Sequence, residues 1–235
     1  LIKWSIKNPK KFWSSIWDFT KVTGIKNEKF EKSNIFFKNK FLKNSKLNFA
    51  ENLLKKNDNS KAITFVSENG YKKVRSWKEL NINVGKIVNF FLSIKLKKKD
   101  RIAAYLPNLI ETVESFIATS AIGSIWSSCS PDFGSNGVIE RFSQIKPKVL
   151  ITCDRYFYNG KEINVINRLP KILKKVKSIK SVVIVNYPGK PFLKSKKIKK
   201  IKFFYWNSIM KNKYKKIEFK KFDFEHELAI LYSSG

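Results

Sequence analysis

Between Arg101 and Val185 four short, unbroken apolar runs alternate with stretches whose apolar residues recur at helical spacing. The runs are Arg101 to Leu106, Ile122 to Ser128, Val149 to Ile151 and Val182 to Val185. A strand with one wet face alternates apolar and polar residues. An unbroken run belongs instead to a strand covered on both faces, as in a parallel sheet. The stretches between supply the crossovers. Ile110, Val113, Phe116, Ile117 and Ala121 make one helix face, and Val138, Ile139, Phe142 and Ile145 make another, with Ser135 as its cap. This order predicts an α/β fold, doubly wound around a mostly parallel sheet.

The flanking sequence fits around that core. Asn8-Pro9 reads as the cap and first position of a helix whose aromatic-rich face is Phe12, Trp13, Ile16, Trp17 and Phe19. Residues 25–47 are irregular and basic and are expected to cover the core with little regular structure. Leu47 to Leu54 is helical in pattern. Glu68-Asn69-Gly70-Tyr71 carries an Asn-Gly hairpin signal between two short strands. Leu80, Val84, Ile87, Val88, Phe91 and Leu92 then form an amphipathic stripe. Pro170 should split or kink the helical pattern from Glu162 to Val176, because its ring leaves no N–H for the preceding turn. The basic run Lys194 to Lys202 is expected to be a solvated connection, and Glu227 to Tyr232 a further buried strand.

With 235 residues, 43% of them hydrophobic, the chain can bury a sizeable core. Its net charge of +31 would ordinarily point to a polyanion. Yet 44 of the 49 basic residues are lysine and only 5 are arginine, whereas surfaces that read phosphate favour the arginine fork. Lys, Asn, Ile and Phe are abundant together along the whole chain, a compositional bias rather than a basic patch, so no nucleic-acid partner is expected. Two cysteines are too few for a disulfide framework and lack metal-ligand spacing. No apolar run approaches the roughly 20 residues of a membrane span. A reduced, cytoplasmic setting is the expectation, with no membrane span and no metal site. The start at Leu1 and the stop at Gly235 read as the ends of an amino-terminal fragment.

Candidate site residues lie where apolar runs end in polar loops, since open α/β sheets hold ligands beyond the carboxyl ends of their strands. The stretch Phe116 to Lys161 contains two such loops, expected at the ends of neighbouring strands. A third run ends in Ser233-Ser234-Gly235, small hydroxyl residues and a glycine of the kind that close on phosphate oxygens. Cys129 has no basic partner nearby in sequence and is not expected to act as a nucleophile. His226 is expected at the surface or at a strand edge.

Three blocks carry a family resemblance. Ala121-Ile-Gly-Ser-Ile-Trp-Ser-Ser-Cys-Ser-Pro-Asp-Phe-Gly134, with Val138 to Phe142, Gln144-Ile145, Pro147-Lys148 and Tyr158-Asn-Gly-Lys161, resembles the acetoacetate–CoA ligase (acetoacetyl-CoA synthetase) family of adenylate-forming acyl-CoA synthetases. Leu47 to Leu54 is similar to the lead-in of that superfamily's AMP-binding domain, and Leu231-Tyr-Ser-Ser-Gly235 to the first half of its phosphate loop. The Trp126 to Gly134 string is the specific part; acetyl- and propionyl-CoA synthetases read differently there. Residues 25–46 and 188–221 match least.

The resemblance implies a two-step reaction. A carboxylate and ATP form an acyl-adenylate and diphosphate with Mg²⁺ present, and the thiol of CoA then displaces AMP. It implies that residues 1–46 are a covering segment and residues 47–235 an incomplete AMP-binding domain. Ser233, Ser234 and Gly235 would begin the loop around the ATP phosphates. Tyr158, Asn159, Gly160 and Lys161 would contact CoA; relatives carry basic residues at both ends of that loop, and this chain has Tyr158 at the first. Trp126, Ser127, Ser128 and Cys129 would shape the substrate-pocket region. The remaining threonines, glycine and lysine of the phosphate loop are not in this sequence. Nor are the acidic Mg²⁺ motif, the ribose-binding aspartate and the adenylation lysine, so no catalytic residue is assigned and these residues alone are expected to be inactive. The partners implied are small molecules: acetoacetate, ATP and CoA. The alternatives are another short acid (acetate, propionate or a hydroxybutyrate) and, in a different class, a basic nucleic-acid-binding protein.

Overall fold

A computed structural model describes residues 1–191, 193 and 198–233. The amino-terminal cover opens with α1 (Ile2–Lys7) and α2 (Pro9–Phe19), which meet at Asn8. Pro9 starts α2 as expected, but Asn8 does not cap it: the Asn8 amide donates to the Trp4 carbonyl at 3.3 Å. Trp17 is buried, whereas Phe19, placed on the same face by its spacing, lies in solvent. The basic region is more regular than its composition predicts. It forms β1 (Gly24–Ile25), an antiparallel pair of β2 (Lys29–Glu31) and β3 (Lys40–Lys43), and β4 (Lys46–Leu47), which pairs with β1.

Asn48 joins this cover to the core. Its side-chain oxygen caps α3 (Phe49–Leu53) by accepting from the Ala50 and Glu51 amides at 3.0 and 3.3 Å. Its amide nitrogen donates to the carbonyls of Ala121 and Lys220 at 3.0 and 2.9 Å. The hairpin β5 (Lys61–Val66) and β6 (Lys72–Ser76) turns at the Asn-Gly step. It leads into α4 (Trp77–Ser93), whose start is a reciprocal cap between Ser76 and Glu79.

Next come β7 (Arg101–Tyr105), α5 (Ile110–Ala121), β8 (Ile125–Cys129), α6 (Ser135–Ile145) and β9 (Val149–Cys153). A second hairpin follows, β10 (Arg155–Tyr158) and β11 (Lys161–Asn164), then α7 (Leu169–Lys175), β12 (Ser181–Val185), β13 (Lys202–Tyr205), α8 (Trp206–Met210) and β14 (Phe222–Asp223). The five-stranded sheet has the order β13-β12-β9-β7-β8 and every pairing in it is parallel. The doubly wound parallel reading therefore holds. The small strand β14 pairs with β4 and ties the end of the described chain to the cover.

Four local expectations change. Glu162 to Asn164 is strand rather than helix, and Pro170 sits in the first turn of α7, where its missing N–H costs nothing. Ser135 is the first residue of α6 and Gly134 takes the cap position without a side-chain bond. Lys202 begins β13; Lys194 to Lys197 of the same basic run lie outside the described residues. Residues 227–232 form a single parallel bridge, Ala229 to Trp126, instead of a buried strand.

Candidate functional site

The strand order creates a switch point. From β7 the chain moves outward to β8, then crosses back to β9 on the other side of β7. The crossovers leave in opposite directions there, opening a crevice beyond the carboxyl ends of the strands, which is where ligands bind in such sheets. β8 and β9 are therefore not neighbours, as the two polar loops had suggested; β7 lies between them. A cavity of about 270 Å³ occupies this end, walled by Leu106 to Asn108 after β7, Ser128 and Cys129 at the end of β8, Ser130 and Asp132 after it, and Tyr156 to Tyr158 of β10.

The loop after β8 is held from three sides. The buried Tyr105 hydroxyl, at the end of β7, lies 3.1 Å from the Pro131 carbonyl and 2.9 Å from that of Phe133. Arg168, just before α7, donates from one terminal nitrogen to the Tyr105 oxygen at 2.6 Å and to the Pro131 carbonyl at 2.7 Å. Asp132 accepts from Ser130 at 2.5 Å and from the Tyr156 hydroxyl at 2.9 Å. Burial raises the pKa of Tyr105 against the opposing pull of Arg168. Burial and the bond to Asp132 raise that of Tyr156, so both stay protonated donors at neutral pH. Behind β10, the buried Asp154 carboxylate accepts from the amides of Arg155, Tyr187 and Leu193 at 2.8, 2.9 and 3.1 Å. It thereby gathers the loops after β9 and β12.

The sequence-selected residues fall into three groups around this cavity. Ser128 and Cys129 line it together with Tyr158. Trp126 and Ser127 are buried behind it: Trp126 packs edge-on against Phe116 at 6.0 Å and Ser127 donates to the Ile230 carbonyl at 2.9 Å. Asn159 and Gly160 form the β10–β11 turn with φ of 51° and 70°, the two left-handed positions of a type I′ hairpin. A Cβ at Gly160 would meet no atom within 4 Å, so the backbone conformation and not space calls for glycine. Lys161 is the exposed cross-strand partner of Tyr158. The Gly160 amide donates to Glu68 at 3.3 Å, bringing the first hairpin beside the second.

Ser233 is exposed, and Ser234 and Gly235 lie outside the described residues. The segment before them runs alongside β8, with the Trp126 amide donating to Leu228 at 3.1 Å and the Ile230 amide donating to Trp126 at 2.8 Å. This delivers Tyr232 and Ser233 to the carboxyl end of β8. Arg141 of α6 marks the junction: its guanidinium lies 4.2 Å from the Phe133 ring and 5.6 Å from the Tyr232 ring, and the Tyr232 hydroxyl donates to its carbonyl at 2.6 Å.

Burial raises the pKa of both cysteine thiols, which argues against thiolate chemistry. His226 packs on Phe222 at 5.0 Å with its Nε2 2.9 Å from the Gly123 carbonyl. Among the described residues no three His, Cys, Asp or Glu side chains gather as a metal site, and no helix is long and apolar enough to cross a membrane.

Sequence reading did not select Tyr105, Asp132, Tyr156, Arg141 or Arg168 as site residues. One signal for the arginines was present in composition. Against a background of 44 lysines, four of the 5 arginines, Arg75, Arg141, Arg155 and Arg168, sit in specific contacts with acceptors or aromatic rings.

A family model described as "AMP-binding enzyme" matches residues 50–235. Over 244 residues the whole chain is 36% identical to a protein named acetoacetyl-CoA synthetase from Xenopus tropicalis, covering 36% of it. A protein named acetoacetyl-coenzyme A synthetase from Rhizobium meliloti is 38% identical over 187 residues, 79% of this chain and 28% of that protein. The solved structure of acetoacetyl-CoA synthetase from Streptomyces lividans superposes with a TM-score of 0.88 at 25% identity, covering 99% of this chain and 35% of that one. The chain thus spans about a third of the length of these relatives.

Proposed function

Because this chain belongs to the family of AMP-binding enzymes, we propose that it serves the ATP-dependent ligation of acetoacetate to coenzyme A. The acetoacetate carboxylate attacks the α-phosphorus of ATP, an acyl-adenylate forms and diphosphate leaves. The CoA thiol then attacks the acyl carbon, the C–S bond forms, the C–O bond to AMP breaks and the thiol proton passes to solvent.

The observation that carries this reading is the cavity at the switch point, where Ser128 and Cys129 of the family-specific string meet Tyr158 of the hairpin. At about 270 Å³ it accommodates one arm of CoA and not the whole molecule. Tyr158 offers a ring and a hydroxyl where relatives carry a basic residue, so stacking or a hydrogen bond replaces an ion pair, and Lys161 keeps its charge beside it. The Asn159-Gly160 turn presents backbone to the same ligand. Trp126 and Ser127 support the wall from behind. Ser233, Ser234 and Gly235 receive the ATP phosphates, with Leu228 to Ile230 fixing where that loop starts. Mg²⁺ would arrive with ATP and neutralise charge on its phosphates. The described residues provide no ligand set for it.

In this reading residues 1–46 form the cover and residues 47–235 belong to the AMP-binding unit. The partners are small molecules in the cytoplasm, and residues 1–235 alone form no acetoacetyl-CoA. The test supplies the full-length protein with ATP, CoA and, in turn, acetoacetate, acetate, propionate and 3-hydroxybutyrate. The expected result is the highest kcat/KM with acetoacetate. Preference for acetate would overturn the acid, and no AMP with any acid would overturn the ligase.

A further inference from the structure

A second and larger cavity, of about 630 Å³, opens at the amino ends of the strands, the opposite end of the sheet from Tyr158. It lies between the last turns of α4, the segment that leads into β7, and residues 215–222. Its apolar wall is built by Val88, Leu92 and Ile217, and Leu92 is 54% exposed although it falls on the helix stripe that should be covered. Five lysines and one acid, Glu218, stand around the same space. None of those lysines forms an ion pair among the described residues. The Asn89 amide nitrogen, also in the lining, is buried without an acceptor.

These features ask for three things in one molecule. An apolar body would remove Leu92 and its neighbours from water. A negative charge would answer the net cationic rim, and an oxygen acceptor would satisfy the buried donor, which is costly to leave unpaired. We infer that this cavity binds an amphipathic carboxylate: a hydrocarbon chain along the Val88–Leu92–Ile217 wall, with its carboxylate among the lysines and Asn89. A simple phosphate lacks the chain, and a cationic amphiphile meets the wrong charge. A nucleic acid would use the lysines and leave the apolar wall bare. The site is independent of the ligase reading, since none of its residues belongs to the cavity at the carboxyl ends.

The experiment titrates the full-length protein with decanoate, below its micellar range, by calorimetry. Decyltrimethylammonium and inorganic phosphate serve as probes for chain without negative charge and charge without chain. One decanoate per protein is expected, with neither control binding at the same concentrations. Leu92→Glu puts a like charge on an already exposed part of the wall and should weaken decanoate at least tenfold with the melting temperature unchanged. Lys216→Glu, at a fully surface position, should weaken it severalfold. Absence of saturable decanoate binding, equal binding of the cationic amphiphile, or affinity unmoved by both substitutions overturns the inference.

Discussion

Arg168 and Tyr105 are 63 positions apart in sequence and 2.6 Å apart in the fold, joined guanidinium to phenol beneath the loop that follows β8. Since Arg168 reaches the Pro131 carbonyl as well, one planar group fixes both the tyrosine and the loop that the tyrosine holds. The wall of the cavity at the switch point is in this way set by residues that do not line it.

Arg168→Lys keeps the charge and loses the planar geometry that aims one terminal nitrogen at both oxygens. One of its two bonds should go, worth about 1–3 kcal/mol for a charged donor, so KM for CoA is expected to rise about tenfold. Adenylate formation, read by ATP–diphosphate exchange without CoA, should change little. An unchanged KM for CoA in a folded variant would remove Arg168 from a positioning role. Tyr105→Phe leaves the Phe133 carbonyl without its donor and the Pro131 carbonyl with Arg168 alone, and should shift the same parameter in the same direction.

Arg141 contacts Phe133 of the loop after β8 and Tyr232 just before the loop proposed to take the ATP phosphates. A lysine there keeps part of the cation–π attraction, roughly 0.5–1 kcal/mol, but not the stacked plane. Arg141→Lys is therefore expected to raise KM for ATP and for CoA together, by about two- to fivefold each. Steady-state kinetics with each substrate varied in turn decides; a change confined to one substrate would show that the two loops are not coupled through this side chain.

Glu114 on α5 is fully buried, with Arg75 at 2.9 Å and the Asn83 amide at 2.9 Å, yet one carboxylate oxygen has no partner. Burial outweighs the attraction of Arg75 and raises its pKa to about 7. The native state consequently holds a proton that the unfolded chain releases near the ordinary carboxylate value. The stability contributed by that proton is full at pH below about 4.5 and is lost as pH rises through about 7. Glu114→Gln should flatten this dependence, so that the difference in unfolding free energy between pH 5 and pH 8, read from denaturation curves, shrinks by an amount on the order of 1–3 kcal/mol. A wild-type midpoint that rises over this range and a variant that follows it would contradict the assignment.

Cys129 lines the cavity at the switch point and Cys153 ends β9, both buried and with thiols pushed up by burial. Neither should react with iodoacetamide at pH 8 while the protein is folded. Cys129→Ala should retain kcat within about threefold, the loss being one small packing contact. A hundredfold fall in kcat would mean that the thiol takes part in the chemistry.

Much of the fold was legible because its signals are local. The runs of β7, β8, β9 and β12 are unbroken since helices cover both faces of a parallel sheet, and the helices between them show the stripe that covers those faces. Asn69-Gly70 gave the first hairpin for the same kind of reason, a backbone conformation few residues adopt. The second hairpin was hidden: Lys161 to Asn164 runs into the apolar spacing of the helix that contains Pro170, and four residues cannot separate a period of 2 from one of 3.6. The candidate site was legible as two loops and a turn.

What the sequence determined by itself was which segments bury which face, because that depends only on side chains a few positions apart. Tertiary structure decided the rest. The insertion of β7 between β8 and β9 depends on backbone hydrogen bonds between segments tens of residues apart, and no local period records a partner. For the same reason only the folded chain could place Tyr105, Arg168, Tyr156 and Asp132 around one loop and turn Ser128 and Tyr158 into two walls of one cavity.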